Sequence, residues 1–204
     1  SFPCSVLCHA IGFNTNILNP RVEYHGPAVQ LNLDNNVTVD KVWAIKVTFW
    51  PDEASQWENR HRLNNYPSQE NISLIKQTGA LLVPVGHPLS PEKHLEWRIS
   101  ISYGEKLLVW QFNPTQYKCY VLLKMIKKHF VQPICGEKSL SSYHCKTCVF
   151  HMLENTPSSL WQPENLLLCV DVCLRTLCKW AENGYCPNYF IPWENMFLGK
   201  VYDH

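Results

Sequence analysis

Arg98, Ser100 and Ser102 stand at alternate positions of the run Glu96-Trp97-Arg98-Ile99-Ser100-Ile101-Ser102. Alternation of this kind reads as a short strand with one polar face. Arginine offers a rigid fork of donors suited to phosphate or carboxylate, and serine hydroxyls complete such a cradle. The plainer alternative is a half-buried strand carrying an ordinary surface arginine. A second grouping, His144-Cys145-x-x-Cys148-x-x-His151, has metal-ligand residue types. On a helix His144, Cys148 and His151 share a face, with Cys145 close to it. Structural zinc sites, however, take their ligands from a knuckle or from two elements, so zinc is not the expected occupant here. Lys118, Lys124, Lys127, Lys128 and His129 make the only basic cluster. It suits a nucleic-acid backbone or, more commonly for such runs, a solvated helix face.

The elements that must position these groups belong to a chain of 204 residues, one domain or slightly more. A hydrophobic fraction of 46% is enough for a packed core, which excludes a disordered chain. The net charge of +1 excludes a nucleic-acid binder by overall composition and leaves only a local patch for that work. No apolar run reaches the roughly 20 residues that cross a bilayer. No charged-then-apolar leader opens the chain, so secretion is not expected, and the two glycosylation-type triplets at Asn36 and Asn71 read as chance. Ser1 stands where a methionine would begin a complete chain, which points to processing or to a piece of something longer. The ten cysteines fall mostly on helical stretches, where free cysteine acts as a small buried hydrophobe. A reduced, cytoplasmic setting is expected, with a nuclear one as the alternative.

Coarse structure follows from the punctuation. Cys4 to Phe13 reads as a strand or a short helix, and His25-Gly26-Pro27 as a turn. Ala28 to Leu33 and Val37 to Phe49 read as two strands joined by a hairpin turn at Asp34-Asn35-Asn36. A helix is predicted over Asp52 to Leu63, and another after Ser68 as N-cap, through Gln77 with Gly79 as its stop. Leu81 to Val85 is apolar, but Pro84 and Gly86 mark it as an edge strand or loop. After the Glu96 to Ser102 strand comes a helix over Tyr103 to Trp110. Asn113 and Pro114 open a helix to about Phe130, with Cys119, Leu122, Leu123, Ile126 and Phe130 on one face. Ser141 or Ser142 caps the next, through Glu154, and Pro163 opens a last one that stops at Asn183-Gly184. Cys169, Cys173 and Cys178 on that helix are expected in the core. The fold class is α+β, a small antiparallel sheet followed by a helical region.

Seven landmarks then occur in one order: His25-Gly26-Pro27-Ala28-Val29, Val39-Asp40, Trp50-Pro51, Leu82-Val83-Pro84, Glu96 to Ser102, Ser141-Ser142-Tyr143-His144 with Lys146-Thr147, and Asn188-Tyr189-Phe190-Ile191-Pro192. In this the chain resembles the male-abnormal-21 family, which includes cyclic GMP-AMP synthase. Trp57 and Arg60 after Trp50-Pro51 resemble the male-abnormal-21-like branch. The resemblance implies the last antiparallel strands of a nucleotidyltransferase palm at 1–110 and a helical, helix-hairpin-helix-like lobe at 111–204.

Active relatives begin the palm with a Gly-Ser turn and an acid-x-acid strand, and no such pair occurs in this sequence. By resemblance Asp40 is the third metal carboxylate, a magnesium ligand only if the missing two are supplied. One carboxylate cannot hold the metals of two-metal phosphoryl transfer, so catalysis is not expected of this chain alone. Magnesium or manganese belongs to an intact relative, and no cofactor is expected here. Arg98, Ser100, Ser102, Lys124, Ser142 and Tyr143 are implied as nucleotide contacts, with Tyr143 stacking a base and Ser142 receiving phosphate at a helix N-terminus. Capping, core packing and a solvated lysine are the plain alternatives. His144 is a family position, whereas relatives carry apolar residues at both cysteines. The zinc thumb of the DNA sensor is missing, since Tyr103 to Cys119 joins the flanking elements directly. The expected function is a non-catalytic nucleotide- or nucleic-acid-binding or regulatory module. The alternative is a fragment of an active, nucleic-acid-activated enzyme that makes a cyclic dinucleotide in innate immune signalling. The partners so implied are a nucleoside triphosphate, nucleic acid through Lys118, Lys124, Lys127 and Lys128, and the missing half of the palm. No membrane partner is expected.

Overall fold

The computed structural model describes residues 21–25, 28–33, 37–87, 89–136 and 139–198. The expectations for Cys4 to Phe13 and for the turns at Gly26-Pro27 and Asp34-Asn35-Asn36 lie outside those residues. The architecture is α+β, with small antiparallel strands followed by helices. No helix among the described residues is long and apolar enough to cross a membrane. The chain forms two compact units, Ser1–Ile45 with Leu82–Arg98, and Lys46–Leu81 with Ile99–His204.

The smaller unit holds an antiparallel meander of β1 (Arg21–His25), β2 (Ala28–Leu33) and β3 (Val37–Val42). Val29 and Leu31, two apart on β2, bury one face of it, while Asp40 on β3 stands exposed directly across from Gln30. The strand predicted to run from Val37 to Phe49 is in fact two. It breaks at Trp43-Ala44, and β4 (Ile45–Val47) joins a different sheet, of order β4–β5–β6, with β5 at Ala80–Val83 and β6 at Arg98–Ser100. Alternation cannot reveal such a change of partner, because both halves keep the same period. β5 corrects a second expectation. It is the central strand of its sheet, and Pro84, which lacks a donor, falls one residue past the ladder. The Glu96 to Ser102 strand shrinks to three residues. Glu96 is drawn into the preceding loop, where its carboxylate accepts from the His87 amide at 2.7 Å and the Ser90 hydroxyl at 2.5 Å.

In the larger unit the helix predicted over Asp52 to Leu63 is a 3-10 turn, Asp52–Ala54, and a short helix, α1 (Ser55–Asn59). α2 (Gln69–Thr78) is capped by Ser68 Oγ, which accepts from the Asn71 amide at 3.2 Å, and stops at Gly79 with φ of 66°. A Cβ at Gly79 would lie 2.1 Å from the Val47 carbonyl, so only glycine allows this turn. α3 (Ser102–Trp110) follows β6, and Gly104 lets it close on the core, since a Cβ there would meet Ile75 and Ile101 within 3 Å. α4 (Pro114–Ile126) carries a capping box from Asn113 and Gln116. It gives way to a π turn at Lys127–Val131 and then α5 (Gln132–Cys135), so Phe130 rotates off the apolar face and is 68% exposed. α6 (Ser142–Asn155) is capped by Ser141, and α7 (Leu166–Glu182) begins one 3-10 turn after Pro163.

Two cores result. Trp57, Ile72, Ile75, Leu108, Phe150, Tyr189 and Phe190 make an aromatic one, in which Trp57 and Phe190 lie 4.7 Å apart. Cys119, Leu123, Cys148, Val149, Cys169 and Cys173 fill the other, between α4, α6 and α7. Cys178 corrects its expectation, because it lies on the exposed side of α7. Each large side chain fully buried contributes about 1.5–3 kcal/mol.

One polar group ties the aromatic core to the chain around it. Glu154, 2% exposed near the end of α6, accepts from Arg62 Nε at 2.9 Å and Tyr189 Oη at 2.9 Å, and pairs with Arg60 Nη2 at 2.6 Å. Arg60 and Arg62 also cap carbonyls of Tyr189 and Trp57. This is why the helix predicted to reach Leu63 ends at Asn59: Arg60 leaves it in extended backbone, and both arginines turn to Glu154. Glu154→Gln keeps an acceptor and removes the charge both arginines need. It should cost about 3–5 kcal/mol in urea unfolding, and a loss under about 1 kcal/mol would show that the cluster does not hold the unit together.

Candidate functional site

Within the larger unit, α3, α4 and α6 bring a polar cluster together. Ser102 opens α3, and Glu105 sits one turn later on the same face. Glu105 is buried, yet its carboxylate is fully used: Oε1 accepts from Tyr143 Oη at 2.7 Å and Oε2 from Lys146 Nζ at 2.6 Å. The same ammonium lies over the Tyr143 ring, 4.9 Å from its centroid. Tyr143 and Ser142 are fixed at the start of α6 by a capping box. Ser141 Oγ accepts from the His144 amide at 3.3 Å, and the Ser141 amide donates to His144 Nδ1 at 3.0 Å. Lys127, first residue of the π turn, brings its Nζ within 3.4 Å of Ser142 Oγ.

Of the residues singled out in the sequence, Ser142 and Tyr143 sit together at the start of α6, while Ser102 is exposed at the start of α3. Ser100 is half-buried on β6. Lys124 is exposed on α4 with its ammonium 5.4 Å over the Tyr120 ring, so it is Lys127 that reaches Ser142. Arg98 and Asp40 belong to the smaller unit, both exposed. Asp40 Oδ1 accepts from Gln30 Nε2 at 2.9 Å. Sequence reasoning missed Glu105 and, as site residues, Lys127 and Lys146. The signal lay in helical spacing, since Glu105 is three residues from Ser102 and Lys146 three from Tyr143.

No group of three or more His, Cys, Asp or Glu among the described residues could hold a metal ion. Asp40, with a neutral amide as its neighbour, does not make up the carboxylate set that two-metal transfer needs. The His144 to His151 grouping is structural. His144 Nδ1 accepts at the cap, which leaves the ring proton on Nε2 for the Met196 carbonyl at 3.2 Å. His151 Nε2 donates to the Pro187 carbonyl at 3.3 Å, and Cys148 Sγ donates to that of Cys173.

Residues 5–110 match the Mab-21 protein nucleotidyltransferase domain, and residues 115–203 match the Mab-21 protein HhH/H2TH-like domain. The chain belongs to the Mab-21 family. Among curated proteins it is similar to cyclic GMP-AMP synthase of Sus scrofa, at 26% identity over 204 residues, 87% of this chain and 39% of that protein. It is also similar to cyclic GMP-AMP synthase of Mus musculus, at 29% identity over 120 residues, 52% of this chain and 24% of that protein. The chain therefore spans well under half the length of these relatives.

His151 gives the larger unit a pH dependence. Burial, and then the nearby Arg60 cation, push its pKa down from 6.5 to about 4. The unfolded chain takes the proton first. The contribution to stability is therefore complete above about pH 6.5, falls as the pH drops toward 4, and levels off below it. It amounts to on the order of 3 kcal/mol. Urea midpoints of His151→Phe and the unsubstituted chain, compared at pH 7 and pH 4.5, should differ in slope, with the variant less acid-sensitive. Parallel slopes would remove His151 as the cause.

Proposed function

We propose that this Mab-21 family chain is a non-catalytic nucleotide-binding module, with its site at the start of α6. The observation that carries this reading is the meeting of Ser142, Tyr143 and Lys127 at one capped helix N-terminus. There a hydroxyl, an ammonium and an aromatic ring match a nucleotide's phosphate and base. The relatives support it, being named for making cyclic GMP-AMP, a product joined from two nucleotides. Ser100 and Ser102 are proposed contacts of the same ligand, and Arg98 is a proposed nucleotide contact of the smaller unit. Lys118, Lys124 and Lys128, exposed on α4 and the turn after it, offer a nucleic-acid backbone a row of cations. The lone Asp40 supports the absence of transfer.

The limited share of each relative that this chain covers favours a second reading, in which a longer parent supplies the other carboxylates and is an active, nucleic-acid-activated nucleotidyltransferase. Sequencing the parent transcript upstream decides between them. A Gly-Ser turn followed by an acid-x-acid strand would sink the non-catalytic reading for the parent.

For the chain itself, titration calorimetry with ATP and GTP should show binding that Ser142→Ala and Lys127→Ala each weaken about tenfold or more, as expected for hydrogen bonds to a charged group. Incubation with both triphosphates, magnesium or manganese, and nucleic acid should give no cyclic product. Unchanged affinity in the α6 variants, or a product that depends on Asp40, would overturn the proposal.

A further inference from the structure

Between Pro114 and Gly136 the sequence carries four lysines and one histidine and no aspartate or glutamate. The cations alone suit any polyanion, but their neighbours do not. Ile134 is 84% exposed, Phe130 68% and Met125 52%, so large apolar side chains face solvent among the lysines. The π turn at Lys127–Val131 sets this up. Its wider winding carries Phe130 away from the core that Cys119 and Leu123 fill and puts it beside Ile134, four residues on. Lys124 and Lys128, likewise four apart and exposed, run along the same segment.

We infer that this segment docks the larger unit on the surface of an anionic phospholipid bilayer. Phe130 and Ile134 enter the boundary of the acyl chains, and Lys118, Lys124 and Lys128 meet the headgroups. A phosphate backbone would pair with the lysines and gain nothing from the apolar pair, whereas a bilayer surface receives both. A second copy of the chain would bring the same acid-free face, and like charges placed opposite each other repel. No described helix is long and apolar enough to cross a bilayer, but a segment lying on one needs only a face of this kind. The docking needs neither Ser142 nor Tyr143, so it stands apart from the nucleotide site proposed above.

The test is co-sedimentation of the full 204-residue chain with two kinds of vesicle. One is a three-to-one mixture of phosphatidylcholine and phosphatidylserine, and the other is phosphatidylcholine alone. Binding to the mixed vesicles should be at least about tenfold tighter, and should weaken as salt is added. The double variant Phe130→Ser, Ile134→Ser should lower it about tenfold or more, by loss of the buried apolar surface. Lys124→Gln with Lys128→Gln should lower it about tenfold as well. All four side chains are exposed, so both variants should keep native circular dichroism; Ile134→Ser alone, the mildest change, should still weaken binding about threefold. Failure to bind the mixed vesicles, or equal binding to the neutral ones, overturns the inference. Undiminished binding by the serine variants overturns it too, and leaves a surface for any polyanion, nucleic acid included. A concentration-dependent sedimentation coefficient that the two serines abolish would overturn it in favour of a second copy of the chain.

Discussion

The aromatic core of the larger unit is tied to three chain segments by one buried carboxylate. Glu154 lies at the end of α6 with two guanidinium groups and a phenol around it, almost without solvent. Taking those charges out of water is expensive, and an apolar cluster of equal volume serves stability as well or better. What the carboxylate adds is a unique answer to where three segments go. The stretch after α1 must turn back to present Arg60 and Arg62, and the Asn188 to Pro192 segment must bring in Tyr189. The end of α6 must stop where Asn64 can take the carbonyls of Leu153 and Thr156. Aromatic rings pack in many ways, whereas this cluster satisfies its charges in one.

The same helix carries the candidate site at its other end. α6 is 14 residues long, which at 1.5 Å per residue separates its ends by roughly 20 Å. The clamp therefore fixes the axis of α6 without touching the cluster at Tyr143. There a second arrangement takes over, in which the Ser141 and His144 cap, Glu105 and Lys127 each approach from a different element. One end is closed and charge-neutralised. The other holds a single lysine–carboxylate pair, Lys146 with Glu105, at partly exposed side chains.

How much of this was legible depended on whether the cause was local. Ser68 with Gly79, Asn113 with Pro114 and Gln116, and Ser141 with His144 declare helix ends within four or five residues, because capping is a local transaction between neighbouring backbone and side chain. The landmarks around Trp50-Pro51, Ser142-Tyr143 and Asn188 to Pro192 were readable for the same reason. Long-range causes were not. The switch of sheets at Trp43-Ala44 answers to which strand lies alongside, and the early end of α1 answers to a glutamate some ninety residues away. The π turn after Ile126 follows no residue pattern in its own window. Glu105 looked like one more helix acid until Tyr143 and Lys146 came to meet it. The metal-like grouping from His144 to His151 failed in the opposite way. Its spacing was suggestive, but each side chain already had a backbone partner in the fold.

The cysteine-rich core has a consequence for how this chain behaves when it opens. Of the described cysteines, Cys135 and Cys178 face solvent, while Cys119, Cys145, Cys148, Cys169, Cys173 and Cys186 are sealed in. Cys119 and Cys173 bring α4 and α7 together through sulfurs 4.0 Å apart. The contact with Cys173, and then burial, pushes the Cys119 thiol up, while at Cys173 the contact with Cys119 lowers the thiol and Cys148 and burial push it up overall. A thiol reagent therefore meets two populations: one that reacts on contact, and one that reacts only when the helices part. With an irreversible thiol reagent present, the buried cysteines are labelled only as the helices around them part, so the order in which they react maps where the lobe opens first.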